Sequence, residues 1–248
     1  MAILSKRKQP PREEKQIKER LKIAGKVFDD KTIDILIRYL NARVFTSVDY
    51  PLSQGKEAVV FRATSKEGFV AVKIFKYETS SFHKMLDYVQ GDPRFSGEAV
   101  KGSFRSFIKL WARKEFANLK TCFEAGIRVP KPIHQRDNVV VMQFIGVGGI
   151  PCALLKDVVL ENPKKFFIKL KNNMKKTFQA GLVHSDLSEF NIIVFNDEPV
   201  LIDWAQGVSK HHPKAMDFLE KDCHNVAVFF KKLGVKVSAE DLFSFVTS

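Results

Sequence analysis

The stretch L-V-H-S-D-L-S-E-F-N-I-I-V-F-N-D-E-P-V-L-I-D-W-A-Q, residues 182–206, places polar side chains at the ends of short apolar runs. Runs of this length and composition, bounded by turn residues, read as buried strands. Strand ends are where functional groups gather, because a rigid scaffold holds them while the adjoining loop faces solvent. Asp186 and Asn191 are separated by four residues, and Asp203 follows twelve later, directly after the apolar run Val200-Leu201-Ile202. Any one of the three could simply cap a turn or end a strand. The whole set between flanking strands is harder to explain that way.

Working upstream, residues 51–77 alternate short β-branched runs with a Lys66-Glu67-Gly68 turn, which predicts a glycine-containing loop and two or three antiparallel strands. Within Val70-Ala71-Val72-Lys73 a lysine stands inside an apolar strand. From Ser103 to Ala125 a long helix is expected, with Phe104, Phe107, Ile108, Trp111, Leu119 and Cys122 as its apolar stripe and Glu115 in the middle of it. A carboxylate there needs a cation, since an unpaired buried charge is expensive. An ion pair between Lys73 and Glu115 explains both anomalies; a Lys73 that snorkels to the surface leaves Glu115 unexplained.

The spacing of 184–203 resembles the protein-kinase catalytic loop H-x-D-x-x-x-x-N followed by a metal-binding aspartate. Phosphoryl transfer needs a carboxylate to orient an attacking hydroxyl and accept its proton, the role of Asp186. Magnesium, or manganese in its place, needs hard oxygen ligands, and Asn191 and Asp203 supply them; Asp203 is thus both a catalytic and a metal residue. Lys73, positioned by Glu115, would contact the phosphates of ATP. The segment Leu52–Ala58 stands where a phosphate loop is expected but has a single glycine; Ser53, Gly55, Lys56, Glu57 and Ala58 are its nucleotide-facing candidates. Backbone groups of Gln143 and Ile145, in the strand expected over Val139–Ile145, would meet adenine, and Gly146–Pro151 would act as a hinge.

Composition sets the outer limits. The 248 residues, with 45% apolar content, can bury one core or two small lobes around a cleft. Cys122, Cys152 and Cys223 are odd in number and widely spaced, which argues against a disulfide framework or zinc site and fits a reducing cytoplasm. No stretch reads as a membrane span or signal peptide. A net charge of +13 suits a polyanionic partner or a solvated basic surface, and the lysines around the outer face of a helix over 164–180 admit the same two readings.

Beyond the catalytic loop, the chain resembles the RIO family of atypical serine/threonine protein kinases, in its first branch, which has no N-terminal winged helix. The residues that carry the resemblance are S-Q-G-K-E-A (53–58), A-V-K-I-F-K (71–76), Y-E-T-S (77–80), W-A-R-K-E-F-A-N-L (111–119), H-S-D-L-S-E-F-N (184–191), I-D-W-A-Q (202–206) and H-P-K-A-M-D-F-L-E-K-D-C-H-N (212–225). The resemblance implies an α+β, bilobal protein-kinase-like fold, with a small antiparallel N-lobe sheet, one long helix and a mainly helical C-lobe. It implies serine autophosphorylation or ATP hydrolysis, the latter through transient phosphorylation of Asp203. It also implies work on a small ribosomal subunit precursor or its rRNA, with no DNA partner. Residues near 78–102 match the family's flexible loop, which makes Ser80, Ser81, Ser96 and Ser103 candidate phosphorylation positions. Ser185 and Gln143 stand where the family commonly has Gly and Glu. Three units follow: an N-terminal helical extension (1–45), an N-lobe (46–145) and a C-lobe (146–248). Two other functions are open to such a chain: a small-molecule phosphotransferase of the aminoglycoside or choline type, and an inactive scaffold that binds RNA.

Overall fold

In the computed structural model, residues 28–77, 85–95 and 103–248 are described. The expected helix before residue 28 lies outside these residues, as do Ser80, Ser81 and Ser96.

Helix α1, Asp30–Asn41, begins where Asp29 accepts a hydrogen bond from the Thr32 amide, and it carries Asp30 in its first turn and Arg38 in its last. Helical spacing in the sequence puts Ile33, Leu36, Ile37 and Leu40 on one face; the buried face is Thr32, Ile33, Ile35, Leu36 and Tyr39, turned slightly from it. Five strands, β1 (Ser47–Gln54), β2 (Ala58–Ser65), β3 (Gly68–Phe75), β4 (Pro132–Arg136) and β5 (Val139–Gln143), form one antiparallel sheet in the order β1-β2-β3-β5-β4. Between β3 and β4 lies helix α2, Phe104–Glu124.

Strand β3 sits third of five and is buried on both faces from Val70 to Phe75. Alternation along it separates two cores: Val70, Val72 and Ile74 pack with Leu36 and Tyr39 of α1, while Ala71 and Phe75 face the larger core that includes Trp111 of α2. Lys73 falls on the second face by the same period of two, and this aims its side chain at α2.

Past β5, the expected hinge over 146–151 is a small hairpin, β6 (Gly146–Val147) with β7 (Ile150–Pro151). Gly148 and Gly149 turn it with φ of 58° and 83°, a backbone that glycine adopts at no steric cost. The Gly149 carbonyl accepts bonds from Tyr50 Oη at 3.1 Å and Arg62 Nη1 at 2.8 Å, so the hairpin tip is tied to β1 and β2. The remainder is mainly helical: α3 (Pro163–Gln179), β8 (Leu182–Val183), β9 (Ile192–Phe195), β10 (Glu198–Leu201), β11 (Val208–Ser209), α4 (Ala215–Lys232) and α5 (Ala239–Thr247). Its periodicity puts Phe166, Phe167, Leu170, Met174 and Phe178 of helix α3 on one face; the first four are buried and Phe178 is half-buried against the core. Part of its basic face is used internally: Lys169 pairs with Glu198, and the Lys171 and Lys175 ammonium groups lie over the Phe245 ring. These three lysines are thus engaged within the fold, by an ion pair and by ring contacts.

The stretch expected to be a loose loop near 78–102 contains a docked segment. Within 85–95, Met85 and Val89 are buried, and Tyr88 stacks on Phe218 of α4 with ring centroids 5.0 Å apart. Asp92 is fully buried; it takes bonds from Arg94 and from the Ser209 amide. Arg94 in turn bonds Asn118 of α2 at 2.7 Å. Gly91, Pro93 and weak periodicity hid a segment whose stability comes from these side chains rather than from regular structure.

Candidate active site

The groups expected to carry chemistry converge between the sheet and α4. Lys73 Nζ donates to Glu115 Oε1 at 2.7 Å and to Asp203 Oδ1 at 2.8 Å. Lys73 and Glu115 are buried, whereas the Asp203 side chain is 49% exposed, so the cluster is closed on one side and open on the other. Desolvation would lower the Lys73 pKa, but the two carboxylates outweigh it and hold the ammonium well above its ordinary value. Burial raises Glu115 against the pull of Lys73. For Asp203 desolvation acts upward, and the adjacent Lys73 charge prevails and keeps the carboxyl below its usual range.

The loop between β8 and β9 presents Asp186. Asn191 Nδ2 donates to the Asp186 carbonyl at 2.7 Å and lies 3.3 Å from its carboxylate. With the amide nitrogen engaged in the loop, the amide oxygen is the atom offered to a cation. His184 Nε2 lies 2.9 Å from the Ile202 carbonyl, and the Ile202 amide donates to Asn191 O at 3.0 Å, which links this loop to the turn holding Asp203. Burial lowers the His184 pKa, so the ring is neutral and structural.

Two of these residues have a left-handed backbone: Ser185 at φ 71° and Asp203 at φ 62°. Such conformations persist only where surroundings over-determine them, and they gather at functional sites. They also give the physical reason that glycine suits position 185. Ser185 is held by Asp222 of α4, whose two carboxylate oxygens accept the amides of Ser185 at 2.8 Å and Leu187 at 2.7 Å on either side of Asp186. Asp222 is fully buried, and that burial pushes its carboxyl up to about 8. It was not among the residues singled out for the site. The signal was present, since a carboxylate lies among the buried Leu219, Cys223 and Val226.

Lys114 was missed for a related reason. It is fully buried beside Glu115 and bonds the carbonyls of Ala205, at 2.9 Å, and Gly207. Desolvation drives its pKa well down. Asn118, one turn later, bonds the carbonyls of Trp204 and Gly207 at 2.8 and 2.7 Å. Helix α2 therefore grips the main chain directly after Asp203 as well as supplying Glu115.

The remaining nucleotide candidates lie elsewhere on the sheet. Leu52, Ser53 and Gln54 belong to β1, so the turn before β2 is Gly55-Lys56-Glu57, closed by a Gly55 amide to Ala58 carbonyl bond of 2.9 Å. Ser53, Gly55 and Lys56 are exposed there. The Gln143 amide donates to Lys131 O, and the Ile145 carbonyl accepts from Cys152 N, so the fold itself uses these two groups of the strand expected to meet adenine. That strand ends at Gln143. Ser103 is the exposed N-cap of α2, where its hydroxyl accepts the Ser106 amide.

The donor set fits magnesium. Among the described residues no group of three or more His, Cys, Asp or Glu side chains is placed to hold a metal. Magnesium uses one or two carboxylates and takes its other ligands from water and substrate phosphates, which matches an amide oxygen at Asn191 and a half-exposed carboxylate at Asp203.

Comparison with known proteins agrees with this geometry. The RIO domain family model matches residues 59–242. The chain is 41% identical over 230 residues to the RIO-type serine/threonine-protein kinase Rio1 of Haloferax volcanii, covering 92% of this chain and 79% of that one. It is 42% identical over 235 residues to the Rio1 of Methanocaldococcus jannaschii, covering 94% and 80%. Among solved structures, a Rio2 kinase–ADP/Mg2+–phosphoaspartate complex from Chaetomium thermophilum superposes with a TM-score of 0.66 at 22% identity, over 92% of this chain and 74% of that one, a likeness of fold. The antiparallel five-stranded sheet, the long helix bearing Glu115 and the helical C-terminal half are those of a kinase-like fold, and the chain belongs to the RIO family of kinases.

Proposed function

We propose that the chain is a magnesium- and ATP-dependent serine/threonine phosphotransferase of the Rio1 type, and that the cluster Lys73–Glu115–Asp203 is its nucleotide-phosphate site. The observation that carries this reading is the Lys73 ammonium held at 2.7 and 2.8 Å between a buried and a half-exposed carboxylate. A buried lysine on a rigid strand, fixed by Glu115, is preorganised to meet phosphate oxygens without reorganisation at the moment of reaction.

In this mechanism Lys73 orients the α- and β-phosphates, and Asn191 and Asp203 are the protein ligands for Mg2+, which supplies charge neutralisation at the phosphates. Asp186 aligns an acceptor hydroxyl and accepts its proton. Asp222 and His184 set the loop so that Asp186 faces the open side. The exposed turn Gly55-Lys56-Glu57, with Ser53 and Ala58 beside it, is assigned to the outer face of the nucleotide. With the Asp203 carboxylate in place of a serine hydroxyl the same site would be an ATPase: Asp203 would take the γ-phosphoryl group as ADP leaves, and water would then hydrolyse the acyl phosphate to release inorganic phosphate.

Autophosphorylation on a serine near 78–103, action on a small ribosomal subunit precursor and a cytoplasmic location are further parts of the proposal. The net charge of +13 supports the ribonucleoprotein partner, and the three free cysteines support the reducing compartment. Incubating the purified protein with γ-labelled ATP and Mg2+ tests the reading, with labelled protein and released phosphate both followed. The expected result is label on serine, phosphate release, or both, each lost when Mg2+ is chelated. No turnover with or without small ribosomal subunits would favour the inactive scaffold.

A further inference from the structure

The catalytic-loop segment from His184 to Asn191 holds two carboxylates, Asp186 and Glu189, and neither lysine nor arginine. Phosphoryl transfer gathers negative charge on the equatorial oxygens of the migrating group and brings that charge against Asp186. Beyond the charge that Mg2+ would neutralise, a cation on this side of the site would offset the charge brought against Asp186. Lys73, held by Glu115 and Asp203, is already assigned to the α- and β-phosphates. Lys114 is buried on main-chain carbonyls.

Helix α4 supplies one. Lys221 Nζ lies 3.5 Å from Asp186 Oδ1. The next residue, Asp222, is the one bonded to the amides on both sides of Asp186, so the root of Lys221 is fixed relative to the catalytic loop. The contact itself is loose. A saturated charge-assisted bond closes to about 2.7–2.9 Å, whereas this pair is longer and its two side chains are 52% and 39% exposed. Lys221 also lines an open cavity of about 570 Å³ between α4 and α5, so its ammonium is reachable from solvent. A flexible stem, three donors and one long contact describe a cation that Asp186 anchors without consuming.

We propose that Lys221 is a further catalytic residue, one whose ammonium binds a non-bridging oxygen of the phosphoryl group during transfer. This rests on the phosphotransferase reading. The acceptor oxygen forms its bond to the γ-phosphorus as the bond from that phosphorus to the β–γ bridging oxygen breaks, and the electron pair leaves on ADP. The hydroxyl proton passes to Asp186. Lys221 keeps its protons and contributes hydrogen bonds and charge alone.

Steady-state turnover of labelled ATP by the full chain tests this, comparing wild type, Lys221→Met, Lys221→Arg and Asp186→Asn. Lys221→Met is expected to lower kcat about 10²- to 10³-fold, as loss of one transition-state donor does. KM for ATP and the unliganded melting temperature should stay near wild type, because the side chain is half exposed. Lys221→Arg should recover most of the rate, since the charge is kept. Wild-type kcat in Lys221→Met, a loss confined to KM, or equal losses in the Met and Arg variants would overturn the assignment. If Asp186→Asn is inactive while Lys221→Met is not, only Lys221 falls. If Asp186→Asn turns over normally, the phosphotransferase site itself is misassigned and Lys221 falls with it.

Discussion

Asp186→Asn is expected to lower phosphoryl transfer by about 10³- to 10⁴-fold while leaving Mg-ATP binding within a few-fold of wild type. The substitution keeps the shape of the side chain and removes its capacity to take a proton. Its neighbours tolerate the exchange, because Asn191 Nδ2 also bonds the Asp186 main-chain carbonyl, at 2.7 Å, and Asp222 holds the loop through the amides of residues 185 and 187. Loss should therefore appear in kcat. Parallel measurements of turnover and nucleotide binding check this, and wild-type turnover would remove Asp186 from its role.

Lys73→Met is expected to have a comparably large effect through a different route. It removes the cation assigned to the phosphates in the proposed mechanism, so kcat/KM should fall by about 10²- to 10³-fold. It also leaves Glu115, 1% exposed, without its partner. Removing one member of a buried pair costs about 3–5 kcal/mol where the survivor stays charged. Glu115 already has a raised pKa, and without Lys73 it rises further. A carboxyl whose folded pKa lies above its unfolded one stabilises the fold at low pH and loses that contribution as pH rises through the folded value. The stability deficit of Lys73→Met should accordingly be small near pH 5 and large near pH 8, and Lys73→Met/Glu115→Gln should flatten that dependence. Denaturant melts of both variants across this range measure it; a pH-independent deficit would contradict the buried-pair account.

The parts of this site that were legible in the sequence were those in which two side chains answer each other. Lys73 in an apolar strand and Glu115 in an apolar helix stripe are each costly alone, and the structure pairs them at 2.7 Å. The spacing of Asp186, Asn191 and Asp203 also depends only on side-chain identity and short separations. Asp222 and Lys114 show the limit. Both are buried ionisable side chains, but their partners are main-chain amides and carbonyls, which every residue possesses and no sequence pattern marks. Lys221 is an ordinary helix lysine until the fold brings it across 35 residues to Asp186.

Fold features followed the same division. Sheet strands and long helices have periods that can be read, and β3, α2 and α3 fall close to where those periods put them. The docked segment 85–95 has no period, since Asp92, Arg94 and Tyr88 hold it through single tertiary contacts. The hairpin over Gly146–Pro151 has strands of two residues each, too short for any alternation to show.

In the proposed mechanism Lys73, Glu115, Asn191 and Asp203 together hold Mg-ATP. Thermal melting of the unmodified chain with saturating ATP, with and without Mg2+, tests it most directly. Ligand at about 100 times its Kd adds about 2.7 kcal/mol, which for a chain of this size raises Tm by roughly 5–10 °C. The account predicts a rise of that order with Mg-ATP in wild type and in Asp186→Asn, and little or none in Lys73→Met or Asp203→Ala. An unchanged wild-type Tm, or an equal rise in all four proteins, would contradict it.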